Sequence, residues 1–368
     1  DPSLSKSDTV SGTSLVAGVD QTWGRQRLYG SGNLRANRYA SNKSLDNDSY
    51  GLNLAVDWAS AGNLSGTVSL AADNNLAQFN NRGLNGSIET QKNELRVLQV
   101  DAKARLGVVT RYTAEAAIGW RKRDYSAASY ARYENTQQYV SLGGRFRPSN
   151  LLSLGVALRL TQQDYPNWRT AGGTTVEDER IKRQDIDVTA TWQPSGASQV
   201  SLRLSPTRSR YDRNPAADFS GLTGSASWGW QATGKTRLTS TLWRDTGQSA
   251  DAVSLGIFGN GVTDESRTTT ALALKAQHEL TGKITLTSGL TYANRALRSE
   301  TLLGGVSLQD LSGSDNTTTL ALGARWFPTR SIQVGCDVSA ERRSSSNQQL
   351  SVSLRADSFS CYGQFVLQ

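Results

Sequence analysis

No apolar run in this chain reaches eighteen residues, so a membrane-crossing helix is excluded. Methionine is absent, so the initiator end is expected to lie outside this sequence. The chain begins at Asp1 without a charged-then-apolar leader, as a processed or trimmed protein would. Its one histidine, His278, leaves little from which to build a His-based metal centre or a serine–histidine pair. Two cysteines, Cys336 and Cys361, are too few for a disulfide-rich scaffold. Seven prolines exclude proline-rich disorder, and 34 glycines without a triplet period exclude collagen. Nine tryptophans and twelve tyrosines are too many for a disordered chain.

What is present is polar but not tract-like. The 40 basic and 32 acidic residues leave a net charge of +8, and both signs are interspersed. That pattern reads as solvated faces of mixed sign, not as a nucleic-acid tract. No Walker, dinucleotide or zinc spacing occurs, so no catalytic residue, metal or cofactor is expected, and the chain is not expected to be an enzyme. At 368 residues, length alone would suggest two or three soluble domains, but a mean hydropathy of −0.48 and the periodicity below argue for one.

The periodicity is two. In 50–59, Tyr50, Leu52, Leu54, Val56 and Trp58 alternate with Gly51, Asn53, Ala55, Asp57 and Ala59. The same alternation recurs in 152–160, 185–192 and 320–326, and no stretch shows a helical period. A soluble sandwich also alternates, but its strands are usually about five or six residues long. Here the alternating segments run about ten to fifteen residues. Their apolar parity often ends in an aromatic near a short turn: Trp58, Trp120, Trp192, Trp230 and Trp326. This is the interfacial girdle of a transmembrane barrel. The expected fold is therefore all-β: a single antiparallel up-and-down β-barrel over 1–368, in a bacterial outer membrane.

Turns alternate in length. Short ones are expected near 24–26, 61–63, 109–111, 148–150, 194–197, 232–235, 281–283 and 328–330. Long polar loops are expected near 40–49, 76–92, 124–136, 163–181, 207–220, 247–266, 298–316 and 343–349. Barrels of this kind keep short turns periplasmic and long loops outside. The count is about seventeen strands from Thr9 onward, with the C-terminus periplasmic. Because bacterial barrels usually have even counts, one further strand upstream is expected, about eighteen in all. Such a barrel leaves an aqueous channel unless plugged.

Parity assigns the charges that face inward. From the first half they are Arg35, Asp57, Asp73, Asp101, Lys103, Arg105, Glu115, Arg121, Arg145 and Arg159. From the second they are Asp185, Asp187, Arg203, Asp245, Lys275, Glu279, Arg325, Asp337, Arg355 and Asp357. They either pair across strands and stiffen the wall, or hydrogen-bond a hydrated polymer weakly enough for release. Inward Tyr29, Tyr139 and Trp243 either stack on sugar faces or brace the wall. Cys336 and Cys361 fall at similar height on the last two strands, with the same parity, so a disulfide is expected, two adjacent free thiols being the alternative. In the last strand Val352, Leu354 and Ala356 oppose the parity of Phe359 and Phe365, so a bulge is expected near Asp357–Ser358. His278 lies on the apolar parity near a turn, an interfacial position.

Five long segments carry a more specific signal: 25–58 (RQRLYGSGNLRANRYASNKSLDNDSYGLNLAVDW), GNLSG at 62–66, 106–138, 219–248 and 315–338. With the ending CYGQFVLQ they resemble the EpsL-like β-barrel porins of exopolysaccharide operons, in the putative β-barrel porin 2 family. The ending departs from the aromatic last residue usual in outer-membrane barrels. The resemblance spans nearly the whole chain and transfers no residue-level site. It implies a pore that exports exopolysaccharide across the outer membrane. It also implies two partners besides outer-membrane lipid, the polysaccharide itself and a periplasmic polysaccharide-export protein. The alternatives are a general diffusion porin for small solutes and, more weakly, a barrel enzyme.

Overall fold

A computed structural model describes residues 6–77, 92–171, 175–213, 215, 218–246, 266–303, 306–348, 351 and 353–366. These residues form seventeen strands and two 3-10 turns, Lys43–Leu45 and Ala128–Tyr133. The first nine strands are β1 (Val10–Trp23), β2 (Gln26–Tyr39), β3 (Asn47–Ala59), β4 (Leu64–Leu76), β5 (Glu94–Leu106), β6 (Tyr112–Tyr125), β7 (Asn135–Phe146), β8 (Leu152–Ala171) and β9 (Thr175–Ser195). The rest are β10 (Ser198–Tyr211), β11 (Phe219–Thr233), β12 (Thr236–Asp245), β13 (Ser266–Thr281), β14 (Ile284–Leu303), β15 (Val306–Trp326), β16 (Ile332–Ser345) and β17 (Leu354–Phe365). Most exceed the ordinary globular length, as period-two patterning over more than ten residues requires.

Two compact units are distinguished. The first holds Asp1–Pro148, Leu154–Val188 and Pro206–Gly221. The second holds Ser149–Ser153, Thr189–Ser205 and Leu222–Gln368. Within the first, β1 through β8 form an antiparallel meander with uninterrupted registers, such as Val10↔Tyr39 through Trp23↔Gln26. Within the second, β11 through β17 do the same, with shifts at Gln231/Thr233, Ser266/Thr268, Glu279/Thr281 and Thr301/Leu302. Tight connections make the meander possible, because antiparallel neighbours need only a hairpin. Gly24 (φ +59) lets the chain reverse between β1 and β2, and Gly107 (φ +87) does so after β5. At Pro148–Asn150 the Ser149 hydroxyl accepts the N–H groups of Leu151 and Leu152, at 3.2 and 3.1 Å. All eight short turns fall where expected.

Of the long connections, 40–49, 124–136 and 343–349 fall largely between strands as expected, and others differ. Residues 163–181 and 298–316 are mostly strand: β8 reaches Ala171 and β9 starts at Thr175, while β14 reaches Leu303 and β15 starts at Val306. Beyond the hydrocarbon layer no lipid demands an apolar face, so the alternation fades while backbone pairing continues. The Tyr39 N–H donates to Asp46 across the loop, and the Ala40 N–H donates to the Thr9 carbonyl just before β1. The expected loops at 76–92 and 247–266 lie largely outside the described residues.

The last hairpin also corrects an expectation. β16 and β17 pair without a break, from Ile332↔Phe365 to Arg343↔Leu354, so there is no bulge at Asp357–Ser358. Leu354 and Ala356 instead take the polar parity, and Arg355 and Asp357 take that of Phe359 and Phe365. This end of β17 lies toward the long connection, where an outward charge meets water. In the same register Cys336 opposes Cys361, and the two form a disulfide on the apolar face. Their separation of 25 residues predicts roughly 3.5 kcal/mol from restricting the unfolded chain. Reduction, or Cys336→Ser with Cys361→Ser, is expected to lower the urea midpoint by a corresponding amount while strand content without urea stays unchanged. An unchanged midpoint would contradict a stapling role.

Candidate functional site

The two faces of the meander are opposite in character. In the first unit one row runs Val56↔Val68, Val68↔Ala102, Ala102↔Ile118, Ile118↔Val140 and Val140↔Leu160. Ile118 and the nearby Leu142 are 60% and 63% exposed. In the second unit Leu322, Val338 and Phe359 form a similar row, with Phe359 75% exposed. Water would not tolerate such continuous apolar rows on a monomer, so lipid covers them. Aromatics mark the short-turn end: Trp58, and the stacked Tyr112 and Phe146 at 5.1 Å, in the first unit. Trp192, Trp326 and the stacked Trp228 and Trp230 at 5.5 Å do so in the second. Trp120 is an exception to expectation: it lies mid-strand opposite Val100, away from the short turn. His278 is on this outer face, with Nδ1 3.0 Å from the Thr236 hydroxyl.

The opposite face carries the polar groups, and most of them are mutually bound. In the first unit Glu115 is a hub. Lys103 Nζ lies 2.9 Å from Oε2, and the guanidiniums of Arg105 and Arg145 lie 3.7 and 3.1 Å from Oε1. One carboxylate thus faces three cations from β5 and β7. The register places them so: Arg105 opposes Glu115 directly, Lys103 opposes Ala117, and Arg145 opposes Thr113. A second cluster surrounds Asp101, which accepts from Gln99 Nε2 at 2.6 Å and from the Tyr139 hydroxyl at 2.8 Å. Tyr139 opposes Gly119, where a Cβ would collide with the ring, so the missing side chain lets the phenol cross β6. Arg121 donates to Gln137 Oε1 at 2.6 Å.

The third cluster centres on Asp185, which is fully buried. Arg183 holds it at 2.9 Å, the Thr207 hydroxyl donates at 2.6 Å, and Arg159 stands 3.5 Å from both Asp185 and Asp187. Near β1, the Arg27 guanidinium stacks 4.9 Å above Tyr29 and donates to Asp20 at 2.8 Å. Asp57 opposes Arg27 and accepts the Thr67 hydroxyl at 2.7 Å. Arg35 opposes Ser14 and Ser49.

In the second unit the polar face is sparser. Lys275 opposes Thr239 and Gly289, and Asp337 opposes Gly323. Arg325 opposes Thr285 and Gly335, and Glu279 opposes Thr285 from the other side. Trp243, half-buried, opposes Ser225 and Ala271. Asp245 accepts the Thr246 N–H at 2.7 Å, and Arg203 shares the parity of Ser205 along β10. The exceptions among the assigned inward residues are Arg355 and Asp357, which stand on the apolar-face parity because β17 carries no bulge; Arg355 is 74% exposed.

Some polar-face residues escaped the sequence reading. Arg295 donates to Asp315 at 2.8 Å, and Ser351 donates to the same carboxylate at 2.6 Å. Arg183 and Thr207 complete the Asp185 cluster. All but Arg295 lay at or beyond the edges drawn for the strands. Carrying the parity of Asp185 and Asp187 two residues back would have found Arg183. Among the described residues no His, Cys, Asp or Glu group is arranged to hold a metal.

Comparison with known proteins agrees with this geometry. A family profile described as "Putative beta-barrel porin 2" matches residues 207–358, β11 to β16 with the adjoining ends of β10 and β17. The FrpB iron transporter from Neisseria meningitidis, F5-1 variant in its apoprotein form, is similar in structure, with a TM-score of 0.52 and 12% identity over 92% of this chain and 60% of that one. A chain of the FpvAI–pyocin S2 complex gives a TM-score of 0.52 and 8% identity over 98% of this chain and 60% of that one. The chain folds as an outer-membrane β-barrel. It spans about 60% of the length of these two structures, and identities this low speak to fold alone. No curated protein matches the sequence. The profile match covers less than half of the chain, and the structural likeness speaks to the β-barrel fold.

Two variants test the paired face. Glu115→Gln leaves Lys103, Arg105 and Arg145 without their carboxylate, so the reversal potential in a salt gradient is expected to move toward anion selectivity. Asp185→Asn uncouples a fully buried carboxylate from two guanidiniums and is expected to cost about 3 kcal/mol in urea unfolding. Unchanged selectivity and stability would contradict the pairing.

Proposed function

We propose that this barrel is the outer-membrane conduit for an exopolysaccharide. The observation that carries the proposal is the cross-strand pairing of the carboxylates on the polar face. Glu115 sits among three cations, and Asp185 between two. Carboxylates so engaged are screened, although the Glu115 cluster keeps an excess of cations, and hydroxyl, amide and aromatic groups such as Tyr29, Gln137 and Trp243 offer hydrogen bonds and ring faces. Such a surface suits a hydrated, hydroxyl-rich chain that must be contacted weakly and then released. The barrel performs no bond-making step; it replaces the hydrocarbon barrier with a polar path. Direction comes from synthesis behind the polymer and from a periplasmic polysaccharide-export protein docked at the short-turn end. The match to a porin profile and the wider sequence resemblance support this reading.

Single-channel recording of the refolded barrel, with and without polymer from the producing strain, tests it. The expected result is an open conductance that the polymer blocks reversibly. A steady conductance indifferent to the polymer would instead favour a general diffusion porin.

A further inference from the structure

The outward side of β9 and β10 changes character toward the long-connection end. Along β9 the outward positions read Val188, Ile186, Gln184, Lys182 and Arg180, all exposed, while Asp187, Asp185, Arg183, Ile181 and Glu179 between them are buried. Along β10 Pro206, Arg208 and Arg210 are exposed, while Thr207 and Ser209 are buried. Lipid-facing aliphatics therefore lead directly into cations. The two strands are held side by side here: the Asp212 N–H donates to the Arg180 carbonyl at 3.0 Å, and Lys182 Nζ bonds the Asp212 carboxylate at 3.1 Å. Arg180 is engaged by Asp164 of β8. The guanidinium groups of Arg208 and Arg210 make no hydrogen bond or ion pair with any of the described residues. Asp178, next along β9, is paired with Arg213, so these four cations share two carboxylates and two guanidiniums are left over.

Outward residues just past the apolar band stand at headgroup height. Long connections face outward from the cell, so this band meets the outer leaflet. Residues two apart on a strand are about 7 Å apart, which lets Arg208, Arg210 and Lys182 reach one headgroup together. Guanidiniums pair with phosphate through two parallel hydrogen bonds. We infer that Arg208 and Arg210, with Lys182 beside them, form a binding site for the phosphorylated headgroup of an outer-leaflet glycolipid. This inference rests on the fold alone and is independent of what the pore carries.

Native mass spectrometry of the refolded full chain tests it, with diphosphoryl lipid A and the same lipid A stripped of both phosphates as probes. Wild type is expected to bind the diphosphoryl form about tenfold more tightly than the phosphate-free form. R208Q/R210Q is expected to lose about that factor toward the diphosphoryl form and nothing toward the other. Lys235→Gln at a short turn is expected to change neither. Heat-modifiable migration on a gel reports folding, and R210Q alone serves if the double variant does not fold. Equal binding by the variants, or equal binding of both lipids, would overturn the inference. So would complete displacement of lipid A by millimolar inorganic phosphate, which would mark a small-anion site instead.

Discussion

Inside the hydrocarbon layer a strand can satisfy its N–H and C=O groups only through a neighbouring strand. That constraint orders everything else in this protein. It makes each strand pair with its chain neighbours, through tight turns, in registers that hold for ten residues or more. Once register is set, side chains have two destinations. One face must be acceptable to lipid, and the other is free to be polar. The protein is accordingly inverted relative to a soluble one: leucines, valines and tryptophans are exposed, and Asp185, Asp315, Arg121 and Arg295 are buried.

Burying charge beside a membrane is costly unless the charge is paired and hydrogen-bonded. The polar face meets this by cross-strand placement. Adjacent strands bring opposed residues to within reach, so Glu115 on β6 collects cations from both of its neighbours. Asp185 draws on its own strand through Arg183 and on flanking strands through Arg159 and Thr207. Small residues do the remaining fitting: Gly119 gives Tyr139 the room to reach Asp101. The same geometry that stiffens the wall also screens its carboxylates, which links fold to the proposed passage of a hydrated polymer.

Much of this was legible in the sequence where lipid imposes a pattern. Strand number, the eight short turns and the polar parity of residues such as Asp101 and Glu115 follow from alternation against an apolar face. Legibility ended where the lipid does. The outer parts of β8, β9, β14 and β15 alternate polar with polar, so they read as loops although their backbones remain paired. The same effect hid Arg183 and Asp315. In β17 an apolar pair, Leu354 and Ala356, sits on the polar parity near the strand end, and reading that as a bulge turned Arg355 inward when the register turns it outward. Trp120 shows that an aromatic on the apolar parity need not mark the short-turn girdle.

The central claim is that alternate residues of one strand meet lipid and water. It is tested most directly by spin labels placed singly along β5 from Leu98 to Lys103 in the refolded, reconstituted protein, with accessibility to oxygen and to a water-soluble nickel chelate read at each site. The account expects strict alternation: Leu98, Val100 and Ala102 favour oxygen, and Gln99, Asp101 and Lys103 favour the chelate. Uniform accessibility along the strand, or the reverse phase, would contradict it.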